Sequence, residues 1–315
     1  MRWPSAITLC EVGPRDGFQM EPEFIPTDAK IEIIDALSRT GLREIQATSF
    51  VHPKAVPQLR DAEEILARIA RVPGVTYSAL VPNERGAERA IAARVDRIDI
   101  VVSVSESHSW SNTRMSTTRA MERAREIVRL GEQSRTAVSI GFATALGCPF
   151  EGFPEYARLE RLVGTAVEEY GIRRVSIADT VGMANPALVA ATMGKLMGRF
   201  PETTFSLHLH NTRGMGLANL LAGLDAGVTH YDASIAGLGG CPFAPGATGN
   251  IATEDTVHMA EEMGIRTEVH LGALLDVARR VEAIVGHADS AILKAGPSSK
   301  LLGPLPEAQA EIQAS

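Results

Sequence analysis

Two histidines separated by a single residue, His208-Leu209-His210, form the most chemically suggestive spacing in the chain. Side chains alternate faces along a β-strand, so both imidazoles can point one way while Leu209 packs on the other side. Alone, such a pair can equally be structural. It becomes a metal site if oxygen donors converge on it, and Asp16 and Asn250 are the candidates. Two nitrogens, a carboxylate and an amide oxygen leave two positions open in an octahedral shell. Donors of this kind without thiolate suit Mg²⁺ or Mn²⁺.

What would bring these residues together is a repeating strand–helix chain. Apolar runs of strand length fall at 6–12, 44–50, 75–81, 95–103, 136–143, 173–178, 204–210 and 228–235. Between and after them, helical periodicity covers 27–40, 56–71, 84–93, 118–131, 156–171, 186–199, 214–227 and 253–264. Thr27 stands where it could cap the first helix, and Gly41, Gly131, Gly171, Gly227 and Gly264 stand where helices should stop. Strict alternation calls for a parallel sheet, and eight repeats favour a closed (β/α)₈ (TIM) barrel over an open doubly wound sheet. A further helix at 271–285 follows the eighth repeat. One domain is expected over 1–295, with 296–315 as a Gly-, Pro-, Ser- and Ala-rich tail. In such barrels chemistry gathers at the carboxyl ends of the strands. Arg15, Asp16, Gln46, Ser49, Asp179, His208, His210, Cys241 and Asn250 all fall on or just after those ends.

Composition narrows the classes. A net charge of −7 argues against a nucleic-acid-binding surface, and 45% hydrophobic with 22% charged residues is ordinary for a globular chain. No run is long enough to span a membrane, and the first eight residues do not read as a signal peptide, so a cytoplasmic protein is expected. Three cysteines make no disulfide framework. Cys10 reads as core, and Cys148 as packing or pocket lining. No Walker A segment or nucleotide-binding G-x-G-x-x-G appears.

Several segments carry a family resemblance. They are Glu11-Val12-Gly13-Pro14-Arg15-Asp16-Gly17, Thr48-Ser49-Phe50-Val51 and Ala145-Leu146-Gly147-Cys148-Pro149-Phe150-Glu151-Gly152. Asp179-Thr180-Val181-Gly182, His208-Leu209-His210, Gly237-Leu238-Gly239-Gly240-Cys241-Pro242-Phe243 and Gly246-Ala247-Thr248-Gly249-Asn250 follow. Over about residues 7–283 the chain resembles the 3-hydroxy-3-methylglutaryl-CoA lyases. These belong to a wider group of metal-dependent barrel lyases and synthases with an arginine–aspartate start. The loop bearing Cys241 is the most specific element.

The resemblance implies cleavage of a 3-hydroxy-3-methylacyl-CoA to acetyl-CoA and a keto acid such as acetoacetate. It implies Asp16, His208, His210 and Asn250 as ligands of Mg²⁺ or Mn²⁺. Arg15 would be a catalytic cation that stabilises the enolate, Cys241 a loop residue assisting proton transfer, and Asp179 a polar member of the site. Arg15, Gln46 and Ser49 would contact substrate. The alcohol explains the metal: its pKa near 16 lies about 12 units above a carboxylate base, on the order of 16 kcal/mol. An acyl-CoA partner is implied, and a homo-oligomer is compatible with the sequence.

The residues also admit plainer roles. Asp179 could cap a helical turn, Asn250 could cap a helix, Arg15 could merely pair with Asp16, and Gln46 could be a neutral barrel liner. Cys241 could be a small buried side chain. The family's glutamate on the second strand is Gln46 here, its tryptophan after Pro53-Lys54 is Ala55, and its aspartate and tyrosine after the histidine pair are Asn211 and Arg213. These departures spare the ligand set and bear on the acyl substrate. A lyase for a different 3-hydroxyacyl-CoA and a condensing enzyme joining acetyl-CoA to a 2-oxo acid are the competing activities.

Overall fold

The computed structural model describes residues 3–240 and 249–297. Eight parallel strands close into a barrel in sequence order. They are β1 (Thr8–Glu11), β2 (Glu44–Ser49), β3 (Thr76–Leu80), β4 (Arg97–Ser103), β5 (Ala137–Ala143), β6 (Arg174–Asp179), β7 (Thr204–Leu209) and β8 (His230–Ala233). Closure is made by β1 against β8, with Cys10 opposite Asp232. The barrel read from alternation is therefore the observed fold.

The residues pointing out from the strands, such as Ile45, Tyr77, Ile98, Phe142, Ile177, Leu207 and Tyr231, are almost fully buried beneath the helices. This apolar layer is the core. The lumen is different in kind. Many TIM barrels fill it with branched apolar side chains, whereas this one carries charges. Arg97 Nη1 and Arg174 Nη2 both reach Glu44 Oε2, at 2.8 and 2.6 Å, and Arg97 Nε donates to Asp99 Oδ1 at 2.6 Å. Each buried charge is paired, as its desolvation requires.

Local signals account for most helices, with instructive exceptions. Helix Thr27–Leu37 begins after Pro26, and the Thr27 hydroxyl does not cap it but donates to Asp61 Oδ2 at 2.9 Å. Gly131 does not stop its helix, which runs over Thr117–Ser134 and ends at Arg135 with φ 58°. A Cβ at position 131 would sit 2.4 Å from the Val138 side chain, so that glycine is there to let the helix approach β5. Gly41, by contrast, does follow the first helix with φ 98°. An extra helix, Glu106–Thr113, was not legible as one; Ser105 caps it by accepting from the His108 N–H at 3.1 Å. The expected helix Leu271–Val285 packs after the eighth repeat, and a short one, Ala291–Ala295, follows.

Candidate metal centre and acyl-binding cavity

The site grows from three strand ends and one loop. His208 lies on β7 facing the lumen, and His210 stands just past the strand, where it bridges to Asn250. After β1 the chain makes a single π-helical turn, Gly13–Gly17, which sets Arg15 and Asp16 at the barrel mouth. A Cβ at Gly13 would meet the Glu11 carboxylate and the Ile235 side chain at 2.7 Å, so a larger residue there would have to displace both.

Asp16, His208 and His210 offer ligand atoms that all lie within 4.8 Å of one another. His208 Nε2 is 3.2 Å from His210 Nε2 and 3.8 Å from Asp16 Oδ2. Asn250 Nδ2 donates to Asp16 Oδ2 at 2.8 Å, and its own Oδ1 is buried without a hydrogen-bond partner. His210 Nδ1 is orphaned in the same way. Buried polar atoms with no partner are rare and need a reason. A divalent cation held among two imidazoles and a carboxylate fits this donor set.

The electrostatics agree. Burial drives the His210 pKa down to about 3, helped by the charge on His208, so its ring stays neutral and able to ligate. Burial also opposes a charge on His208, but Asp232 overrides it and raises the pKa. Burial alone would raise Asp16; the Arg15 guanidinium and both imidazoles lower it instead. Asp232, which faces His208 across β7 and β8, accepts from His208 Nδ1 at 3.1 Å. Such a carboxylate behind an imidazole fixes the ring's tautomer and orientation. Sequence reasoning missed it, although Asp232 has the inward-facing alternation of β8 as a signal.

Arg15 is pinned on two sides. Its Nη1 donates to Asp16 Oδ1 and its Nε to Gln46 Oε1. Both Gln46 and Ser49 line a cavity of about 590 Å³ that opens at the mouth and continues into the polar lumen. The Ser49 hydroxyl is occupied by backbone, donating to Leu80 O at 3.1 Å and accepting from Val51 N at 3.2 Å.

The remaining candidates separate. Asp179 is fully buried but does not line the cavity, because it sits on the outward alternation of β6. Its Oδ1 accepts from Met183 N and Ala184 N, the turn-capping role. Burial raises its pKa to about 6. Asn250 caps no helix: the helix Thr253–Glu262 starts after Ala252. Cys10 is buried as expected, yet it faces the lumen and not the helical layer. Cys148 packs, with its thiol donating to Ser105 Oγ at 2.9 Å. Cys241 lies outside the described residues. Arg213 ties two loops by donating to Val181 O and Gly182 O, both at 2.9 Å, and Asn211 Oδ1 accepts from Gly216 N at 3.0 Å. Ala55 is exposed.

The HMGL-like family profile matches residues 6–281. The chain belongs to the HMGL-like family. It is 44% identical over 286 residues to the hydroxymethylglutaryl-CoA lyase of Bacillus subtilis, covering 91% of this chain and 95% of that one. With the human mitochondrial hydroxymethylglutaryl-CoA lyase it shares 40% over 273 residues, 87% of this chain and 84% of the relative. Among solved structures, an HMG-CoA lyase from Acinetobacter baumannii in complex with coenzyme A and 3-methylmalate superposes with a TM-score of 0.91. It has 42% identity and covers 97% of this chain and 100% of its own. The family match spans every strand of the barrel and every residue named at the mouth.

Proposed function

We propose that this HMGL-like protein is a carbon–carbon lyase that cleaves 3-hydroxy-3-methylglutaryl-CoA to acetyl-CoA and acetoacetate. The observation that carries the reading is the convergence of Asp16, His208 and His210 beside Arg15 at the mouth of an acyl-sized cavity. Asp16, His208, His210 and Asn250 would hold Mg²⁺ or Mn²⁺. Such an ion supplies Lewis acidity toward hydroxyl and carboxylate oxygens.

In cleavage the C3 hydroxyl loses its proton, the C2–C3 bond breaks, a ketone forms at C3 and the thioester fragment leaves as an enolate. Arg15 faces that fragment. With Nε and Nη1 committed, its planar guanidinium presents Nη2 to the enolate oxygen. Gln46 and Ser49 bound the acyl end of the cavity. The enolate then takes a proton at C2, a step suited to Cys241 on its glycine-rich loop. Asp179 acts at one remove, by holding the 181–184 turn beside the cavity.

A second reading, a lyase for a different 3-hydroxyacyl-CoA, is favoured by Gln46 in place of the family glutamate and by the 3-methylmalate in the relative's complex. The barrel's membership of the wider synthase group leaves condensation with a 2-oxo acid as a third outcome. Acetyl-CoA release from a panel of 3-hydroxyacyl-CoA esters, with Mg²⁺ or Mn²⁺, tests all three. Preferential cleavage of the hydroxymethylglutaryl ester supports the first. Faster cleavage of another ester supports the second, and thiol release only with a 2-oxo acid supports the third. No helix among the described residues is long and apolar enough to cross a membrane, and we place the enzyme in the cytoplasm.

A further inference from the structure

Arg15 must present one particular face to substrate, and the group that orients it is Gln46. An amide has a donor end and an acceptor end of nearly equal shape, so it can orient Arg15 only if something fixes which end points where. Arg15 Nε is a donor and nothing else. Across the lumen, Gln46 Nε2 lies 2.6 Å from Asp99 Oδ2. A carboxylate is an acceptor and nothing else. Only one orientation of the amide satisfies both neighbours, with its oxygen on Arg15 and its NH₂ on Asp99.

The lumen is built to permit this contact. Gln46 on β2 and Asp99 on β4 are separated by β3, which puts the small Ser78 opposite Gln46. The two longer side chains meet over it. Asp99 is itself immobilised: Oδ1 accepts from Arg97 Nε at 2.6 Å and from Ser139 Oγ at 2.7 Å. Burial would favour its neutral form, but Arg97 and the surrounding donors hold its pKa at about 2, so it remains an acceptor throughout the working range. A negative charge on β4 is thus transmitted through a neutral amide to a guanidinium on the loop after β1, and such chains polarise their members cooperatively.

We propose that Asp99 is a positioning residue for the lyase reaction, fixing the Gln46 amide so that its oxygen orients Arg15. On this view the negative charge that the family places on β2 is supplied here from β4. Gln46 and Asp99 are then one unit, and neither can be changed alone without cost.

The inference rests on the proposed lyase activity for its kinetic arm, so the test includes a second readout that needs no substrate. The variants are Asp99→Asn, Gln46→Met, Gln46→Glu and the swap Gln46→Glu/Asp99→Asn. Asp99→Asn lets the amide turn over. Gln46→Met removes the relay while leaving the Asp99–Arg97 pair intact, which covers the case in which Asp99→Asn does not fold. Gln46→Glu sets a second carboxylate against Asp99. The swap returns the acid to β2 and lets the new asparagine donate to it.

For each single variant kcat should fall roughly 10- to 100-fold with KM moving less, the loss expected for one hydrogen bond to a charged group. The swap should recover most of that loss, a strongly non-additive cycle. In parallel, the Arg15 Nε–H resonance, assigned by its disappearance in Arg15→Lys, should be protected from solvent exchange in the wild type and the swap. That protection should be lost in Asp99→Asn and Gln46→Met. Wild-type turnover judges the lyase reading separately. Additive losses in the swap, or unchanged kcat and unchanged Nε–H protection in Asp99→Asn or Gln46→Met, overturn the proposal.

Discussion

Neutralising Glu254 should make this protein more stable in mild alkali. Glu254 is buried in the helix that follows β8. Its Oε2 accepts from Ala236 N at 3.2 Å, while Oε1 has no partner. Burial, reinforced by the negative charge of Glu11, raises its pKa from 4.5 to about 8. Glu11 in turn joins the turn after β1 to the segment after β8, accepting from Gly13 N, Ile235 N and Thr253 Oγ1. A carboxyl group whose folded pKa is raised binds its proton more tightly in the folded state. The stability it contributes is complete below pH 4.5 and disappears as pH rises through about 8. At 1.36 kcal/mol per unit the full effect is about 5 kcal/mol, of which ~3 kcal/mol falls between pH 5 and pH 8.

Glu254→Gln keeps an oxygen for the Ala236 N–H and removes the charge. Urea unfolding at pH 5 and pH 8 should show the wild type losing ~3 kcal/mol more than the variant over that interval. Equal losses in the two proteins would mean that Glu254 does not titrate between them, and that burial has been outweighed by contacts that favour the carboxylate.

Other outcomes follow from the same geometry. Replacing both His208 and His210 with alanine should abolish divalent-metal binding in a calorimetric titration. Asp232→Asn should weaken Mn²⁺ binding by roughly 10- to 100-fold while leaving the ligands in place, because His208 loses the carboxylate that orients it; unchanged affinity would make Asp232 a bystander. Asp179→Asn retains an acceptor for Met183 N and Ala184 N, so turnover should stay within about threefold of wild type. A much larger fall in kcat at unchanged melting temperature would return Asp179 to the chemistry. Cys241→Ala should slow turnover with metal affinity unaltered; parallel loss of both would make the thiol structural or a ligand.

The strand–helix alternation, eight times repeated, was enough to read the barrel from the sequence, because period-two and period-3.6 patterns are local consequences of side-chain direction. The spacing of His208 and His210 was equally local, since a strand puts alternate residues on one face. The exceptions have tertiary causes: the Thr27 hydroxyl and Gly131 met partners, Asp61 and Val138, that only packing supplies.

What the tertiary structure alone decided is which polar residues share a volume. Asp232 behind His208, and Asp99 behind Gln46, join strands separated in sequence, and no periodicity of one segment encodes a partner on another. The outward turn of Asp179 and the inward turn of Cys10 were likewise matters of register around a closed barrel. A shift of one residue would exchange core for lumen. The sequence determined that chemistry would gather at the strand ends. Closure, register and the cost of burying unpaired charge decided which side chains meet there.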